Sequence, residues 1–156
     1  MKSENIINIA RAEIGYEENP KNSNNTKYGE WFGLNGVAWC GIFVSWCYDK
    51  ANFILGKIGF SKGFAGCQTA VQYFKDSNRI TTNPQPGDIV FFDWNGDGIY
   101  DHTGIFVRKI NEKYFESIEG NTSLINQSNG GSVMLRKRKF AVAIFAHPEC
   151  LDTSNQ

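Results

Sequence analysis

Apolar positions along the first half of the chain recur with the spacing of a helix. Ile6, Ile7, Ala10 and Ile14 fall on one face of "SENIINIARAEIG", with Ser3 placed to cap the start and Gly15 to stop it. From Cys40 onward, Phe43, Val44, Cys47 and Ala51 repeat the same pattern, which predicts an amphipathic helix with Cys40 in its first turn. In "GCQTAVQYFKD", Cys67, Ala70, Val71 and Phe74 share a face, so Cys67 reads as a core residue. Between the first two helices, "YEENPKNSNNTKYGEWFGLNG" follows neither period and reads as a long ordered loop, the kind that tends to be functional.

After the turn cluster "NPQPGD" the pattern changes to short apolar, β-branched and aromatic runs: "DIVFFD", "TGIFVRKI", "KYFESIEG", "SVMLRKRKF" and "AVAIFAH". Helices first and strands second predict an α+β domain, its N-terminal helices packed on an antiparallel sheet. One domain over residues 1–148 is expected, with 149–156 a disordered tail or truncated linker. "RKRK", residues 136–139, reads as a solvated edge strand in which Arg136 and Arg138 face one way and Lys137 and Lys139 the other.

Composition narrows the function classes. The chain has 156 residues, 41% of them hydrophobic, enough for a core without disulfide staples. Sixteen basic residues balance sixteen acidic ones, so there is no electrostatic footprint for nucleic acid or an anionic membrane. No secretory signal or membrane span is evident, and a monomer made in the cytoplasm is expected.

The stretch "NGVAWCGIFVSWC" poses the chemical question: Cys40 is core packing, half of a disulfide, or a nucleophile. A helix would put Cys40 and Cys47 roughly 10 Å apart along its axis, beyond disulfide reach. The four cysteines, Cys40, Cys47, Cys67 and Cys150, show no zinc spacing. A nucleophilic thiol gains from a helix N-terminus and needs a histidine, itself oriented by a third group. His102, where a loop enters a strand in "YDHTGIFV", is a better candidate than His147 beside the tail. "SIEGNTS" supplies Glu119 and Asn121, which strand alternation would aim together at the imidazole.

"WCGIFVSWC", "PGDIVFFDWNGDGIYDHTGIFV" and "IEGNTS", in that order, resemble the motifs of the CHAP family, the cysteine, histidine-dependent amidohydrolases and peptidases of the papain-like superfamily that includes NlpC/P60. The resemblance runs from about Ile6 to Phe145 and is strongest to phage endolysin and autolysin domains. It implies a papain-like fold and a peptidoglycan hydrolase, either an N-acetylmuramoyl-L-alanine amidase or a cross-bridge endopeptidase. By position it makes Cys40 the nucleophile, His102 the base, Glu119 the orienting acid and Asn121 a polar auxiliary. Gly41 stands where many relatives have Ala, a change read as minor. The Cys40 amide is the expected oxyanion donor, with Asn25 or Tyr28 as a second, and Trp31 and Trp39 are candidate substrate platforms.

The resemblance further implies release through holin pores and action on the bacterial cell wall, with no cofactor required and calcium the one candidate ion. Asp93, Asn95 and Asp97 in "DWNGDGIYD" match the first half of a calcium loop, but position twelve is Gly104, so a polar turn is the preferred reading. Two other functions stay open: a catalytically inert wall-binding module, and a cysteine hydrolase of a non-wall amide.

Overall fold

The computed structural model describes residues 2–153. Four helices come first: α1 (Lys2–Ala12), α2 (Lys27–Phe32), α3 (Cys40–Lys50) and α4 (Cys67–Asp76). Six strands follow: β1 (Ile80–Thr81), β2 (Ile89–Phe92), β3 (His102–Lys109), β4 (Tyr114–Thr122), β5 (Ser132–Lys139) and β6 (Ala143–Ala146). They form one sheet in the order β1-β6-β2-β3-β4-β5, with every pairing antiparallel. This is the expected α+β architecture, and each of the five expected strand runs forms a strand.

Helix α1 buries Ile6, Ile7 and Ala10 as its spacing predicts, whereas Ile14 lies beyond its end and is 41% exposed. The helix already begins at Lys2, so Ser3 lies in its first turn rather than capping it. The loop expected over residues 16–36 contains a short helix, α2. Thr26 caps it by accepting the Gly29 N–H at 3.0 Å, and Gly33 ends it in the left-handed conformation.

Helix α3 is not amphipathic. Ile42 and Phe43 are both fully buried along with Val44 and Cys47, because α1, α2 and the sheet enclose it from several sides. Its buried hydroxyls are satisfied: Tyr48 donates to the Gly87 carbonyl at 2.6 Å, while Ser45 Oγ donates to the Gly41 carbonyl, lies 3.1 Å from the Phe64 carbonyl, and accepts the Phe64 N–H. Ser45 therefore ties the segment before α4 to the first turn of α3.

The sheet buries both faces. Ile89, Phe91, Ile105, Val107 and Ile118 join the core beneath the helices. Val90, Phe92, Phe106, Phe115 and Phe145 form a second apolar cluster, flanked by Trp94 and Phe140.

Residues 149–153 are an ordered 3₁₀ turn, not a disordered tail. Leu151 is 3% exposed in the core, and Asp152 pairs with Arg79 at 2.7 Å. The rest of the expected tail, 154–156, lies outside the described residues. His147 is likewise no mobile end residue: its Nδ1 meets the buried Asp88 carboxylate at 2.6 Å and its Nε2 lies 3.3 Å from Asp152.

Candidate active site

Cys40 is the first residue of α3 and is 4% exposed. Trp39, at the cap position, makes no side-chain cap bond. Its indole N–H instead donates to Glu18 at 3.1 Å. No capping side chain competes for the first-turn amides, which leaves the positive end of the helix dipole to the thiol. The Cys40 ionisation is held well below the ordinary thiol range. The largest cause is the Cys67 thiol, whose sulfur is 3.9 Å away; burial opposes it, while His102 and the Gly41 amide reinforce it.

His102 opens β3 and is fully buried. Its Nε2–H donates to Glu119 Oε1 at 2.9 Å, so Nδ1 is the ring atom left for the thiol. Among the described residues Nδ1 has no hydrogen-bond partner of normal geometry. Burial alone would depress the histidine pKa, yet the hydrogen bonds and negative charges of Cys40 and Glu119 raise it to about 9. A low thiol pKa beside a high imidazole pKa describes a thiolate–imidazolium pair across the neutral range.

Glu119, on β4, is fully buried and accepts from three side chains: His102, Arg138 and Ser117. Burial opposes its charge, but Arg138 and His102 outweigh that and lower its pKa to about 2. Arg138 Nε donates to Oε2 at 2.9 Å, a terminal guanidinium N–H reaches Oε1, and the Ser117 hydroxyl also donates to Oε2. The charge-assisted fork fixes the carboxylate plane, and with it the imidazole. Gly104 makes room for this acid, since a Cβ there would lie 2.7 Å from Glu119 Cγ.

Arg138 belongs to the site, although its basic run reads as solvated in the sequence. It sits on the edge strand as expected, but it is 5% exposed instead of solvated. Its guanidinium lies 4.9 Å from the Trp94 ring and 5.4 Å from that of Phe92. Trp94 in turn lies over Phe92 and His102, roofing the polar relay with an aromatic layer.

Asn121 does not share the imidazole with Glu119. Its backbone is left-handed (φ 58°) and the β4–β5 register shifts between Glu119 and Thr122, which breaks the expected alternation. The side chain holds the loop that follows instead. Oδ1 accepts the Gly131 N–H at 3.0 Å and Nδ2 donates to Asn129 at 3.0 Å.

The substrate candidates are also redistributed. Tyr28 and Trp39 are fully buried and stack on one another, with the Tyr28 hydroxyl donating to Glu13, so they are core residues and not platforms or donors. Asn25 is exposed, and its amide N–H bonds Ser23 within its own loop. Trp31 remains half-buried, with Lys62 Nζ 5.1 Å from its ring centre.

The loop after β2 is closed on itself. The Asp93 carboxylate accepts the N–H groups of Gly96, Asp97 and Gly98, and Asp97 accepts that of Ile99. That is the bonding of a polar turn. Among the described residues no group of three or more His, Cys, Asp or Glu side chains is arranged to hold a metal ion.

Gly41 matters more than its small size suggests. A Cβ there would lie 2.8 Å from both the Ala65 carbonyl oxygen and the Phe64 ring. Only glycine lets the segment leading to Cys67 pack this closely on the nucleophile's helix.

A helix-borne thiol facing a strand-borne, acid-oriented histidine defines a cysteine–histidine site on an α+β scaffold. The chain belongs to the CHAP domain family, whose model matches residues 32–121 and so takes in Cys40, His102, Glu119 and Asn121. Among solved structures, the crystal structure of a wild-type endolysin, LysIME-EF1, matches at a TM-score of 0.55 and 12% sequence identity. The match covers 95% of this chain and 65% of that one, so this chain spans just under two thirds of its neighbour's length. The likeness is one of fold. No curated protein sequence matches the chain.

Proposed function

We propose that the protein is a peptidoglycan hydrolase that cleaves an amide by acyl transfer through Cys40, in the manner of an endolysin catalytic domain. The observation that carries this reading is the buried array in which Glu119, forked to Arg138, holds the His102 ring with its Nδ1, unpartnered among the described residues, left for a Cys40 thiol whose ionisation is pulled down. Family membership and the fold shared with an endolysin support the choice of substrate class.

In this mechanism the Cys40 thiolate attacks the amide carbonyl and the Cys40 backbone N–H, at the start of α3, faces the developing oxyanion. The His102 imidazolium gives its Nδ1 proton to the departing amine. Water, deprotonated by the now neutral His102, then attacks the thioester, expelling the Cys40 sulfur as thiolate and restoring the thiolate–imidazolium pair. Glu119 stays ionised throughout and holds the ring. The bond cut is an N-acetylmuramoyl-L-alanine amide or a cross-bridge peptide bond, and the site of action is the bacterial cell wall. No helix among the described residues is long and apolar enough to cross a membrane.

The test is digestion of purified Gram-positive sacculi by wild type, Cys40→Ala and His102→Ala, with mass spectrometry of the released fragments. Free stem peptides from wild type alone identify an amidase, and cross-bridge fragments an endopeptidase. Equal release by Cys40→Ala removes the nucleophile assignment. Absence of release from any wall type by a folded wild type directs the search to another amide or to an inert wall-binding module.

A further inference from the structure

Two thiols meet at the site, and the acyl-transfer chemistry uses only one. Cys67 is the first residue of α4 as Cys40 is of α3, both are free, both are buried, and their sulfurs are 3.9 Å apart. The helical spacing of "GCQTAVQYFKD" puts Cys67 in the core. It is indeed buried, but against the nucleophile.

The approach is built into the fold. Ser45 joins the Gly41 carbonyl to the Phe64 N–H, and Gly41 admits the Ala65 carbonyl against α3. The chain then needs only Gly66 before it enters α4 at Cys67. By contrast Cys47 lies on the same helix as Cys40 and is sealed in the core, where burial pushes its thiol pKa well up. Among the described residues, Cys67 is the thiol held beside Cys40.

We propose that Cys40 and Cys67 form a reversible redox modification site: a peroxide oxidises Cys40 to a sulfenic acid, and Cys67 captures it as a Cys40–Cys67 disulfide that silences the enzyme. In the first step the Cys40 thiolate attacks one peroxide oxygen. The O–O bond breaks, sulfur loses two electrons, and the departing hydroxide takes a proton from the His102 imidazolium and leaves as water. In the second, the Cys67 sulfur attacks the Cys40 sulfur, the S–S bond forms, the S–OH bond breaks, and the Cys67 proton leaves with that hydroxyl as water. The net reaction consumes two thiols and one peroxide and yields one disulfide and two waters. A dithiol reductant returns both electrons.

Geometry and charge favour the second step. A disulfide needs sulfurs about 2.0 Å apart, so the pair must close roughly half its present separation, a movement available to side-chain rotation at two helix starts. Cys67 is kept protonated chiefly by its hydrogen bond to Cys40, with burial and the Cys40 charge adding to it. Turning Cys40 into a neutral sulfenic acid removes that charge and frees Cys67 to react.

The proposal rests on Cys40 being the reactive thiolate of the function above, and its test reads the sulfur chemistry separately from lysis. Wild type and Cys67→Ser are treated with graded hydrogen peroxide, capped with iodoacetamide and mapped by non-reducing digestion. Wild type is expected to lose about 2 Da and to yield a cross-linked peptide holding Cys40 and Cys67, whereas the variant carries Cys40 on to sulfinic or sulfonic acid, a gain of about 32 or 48 Da that dithiothreitol does not reverse. Dithiothreitol should restore most of the wild-type lytic rate. It should leave Cys67→Ser, measured against its own untreated rate, about tenfold down or more after the same dose.

Cys40 recovered as sulfinic or sulfonic acid in wild type, with Cys67 still free, overturns the proposal. So does a variant that recovers as fully as wild type. The wild-type map stands by itself should the variant fail to fold. A cross-link found in a protein with no lytic activity before oxidation would sustain the redox pair and reject the hydrolase reading.

Discussion

Arg138 holds Glu119 with two guanidinium N–H groups, and the Oε1 it shares also accepts the His102 Nε2–H at 2.9 Å. The arginine thus acts on the imidazole through the carboxylate, as a positioning residue one step removed from the reacting atoms. Arg138→Lys keeps the charge but loses the fork, and its kcat should fall on the order of tenfold, with KM little changed. Arg138→Met strands a buried carboxylate and should cost about 3–5 kcal/mol of stability, read by urea denaturation. A lysine variant with wild-type kcat would show that the fork does not set the ring.

The pH profile follows from the same charges. Cys40 is shifted down and His102 up to about 9, so the reactive ion pair exists between those limits. Activity should fall on the acid side as the thiolate is protonated and on the alkaline side near pH 9 as the imidazolium loses its proton. Glu119→Gln removes a negative charge that favours the imidazolium, so the alkaline limb should move to lower pH. A limb that stays in place would separate it from His102.

Gly41→Ala tests the packing at the nucleophile. The added methyl meets a backbone oxygen and a ring, both at 2.8 Å, and should cost about 1–3 kcal/mol in thermal or urea unfolding. Because the displaced segment carries Cys67, the same variant should form less of the peroxide-induced cross-link than wild type.

His147 provides the converse control. Its ring pairs with the fully buried Asp88, so His147→Ala leaves that carboxylate without its histidine and should lower stability by about 1–3 kcal/mol. Sacculus digestion well below the melting transition should proceed at close to the wild-type rate. A stable but inactive variant would reassign the catalytic histidine.

The elements that the sequence exposed are those with enough residues to show a period. Ile6, Ile7 and Ala10 mark α1, and the run 88–93 marks β2. Six-residue α2 has no room for a repeat and is betrayed only by its ends, Thr26 and Gly33. Two-residue β1 shows nothing at all. Cys40 and His102 were legible because each opens its element beside an unusual motif, and Glu119, inside β4, because it stands in "IEGNTS". Arg138 was not, because burying a charge depends on a partner nineteen residues away, and a basic run looks solvated until that partner is placed. The pairing of Cys67 with Cys40 depends on a clamp at Ser45 and a missing side chain at Gly41, which no local pattern announces.

Strand β5 is the outermost strand of the sheet at that end, and it carries Arg138. Edge strands open at a lower free energy than central ones, so fraying of β5 would release the guanidinium while α3 and β3 remain folded. Catalysis should therefore fail at a lower urea concentration than the loss of tryptophan fluorescence, with amide exchange along residues 132–139 rising in step with the loss of activity. The enzyme's working range would then be set by the grip of its last few ladder bonds, well inside the limits of the core.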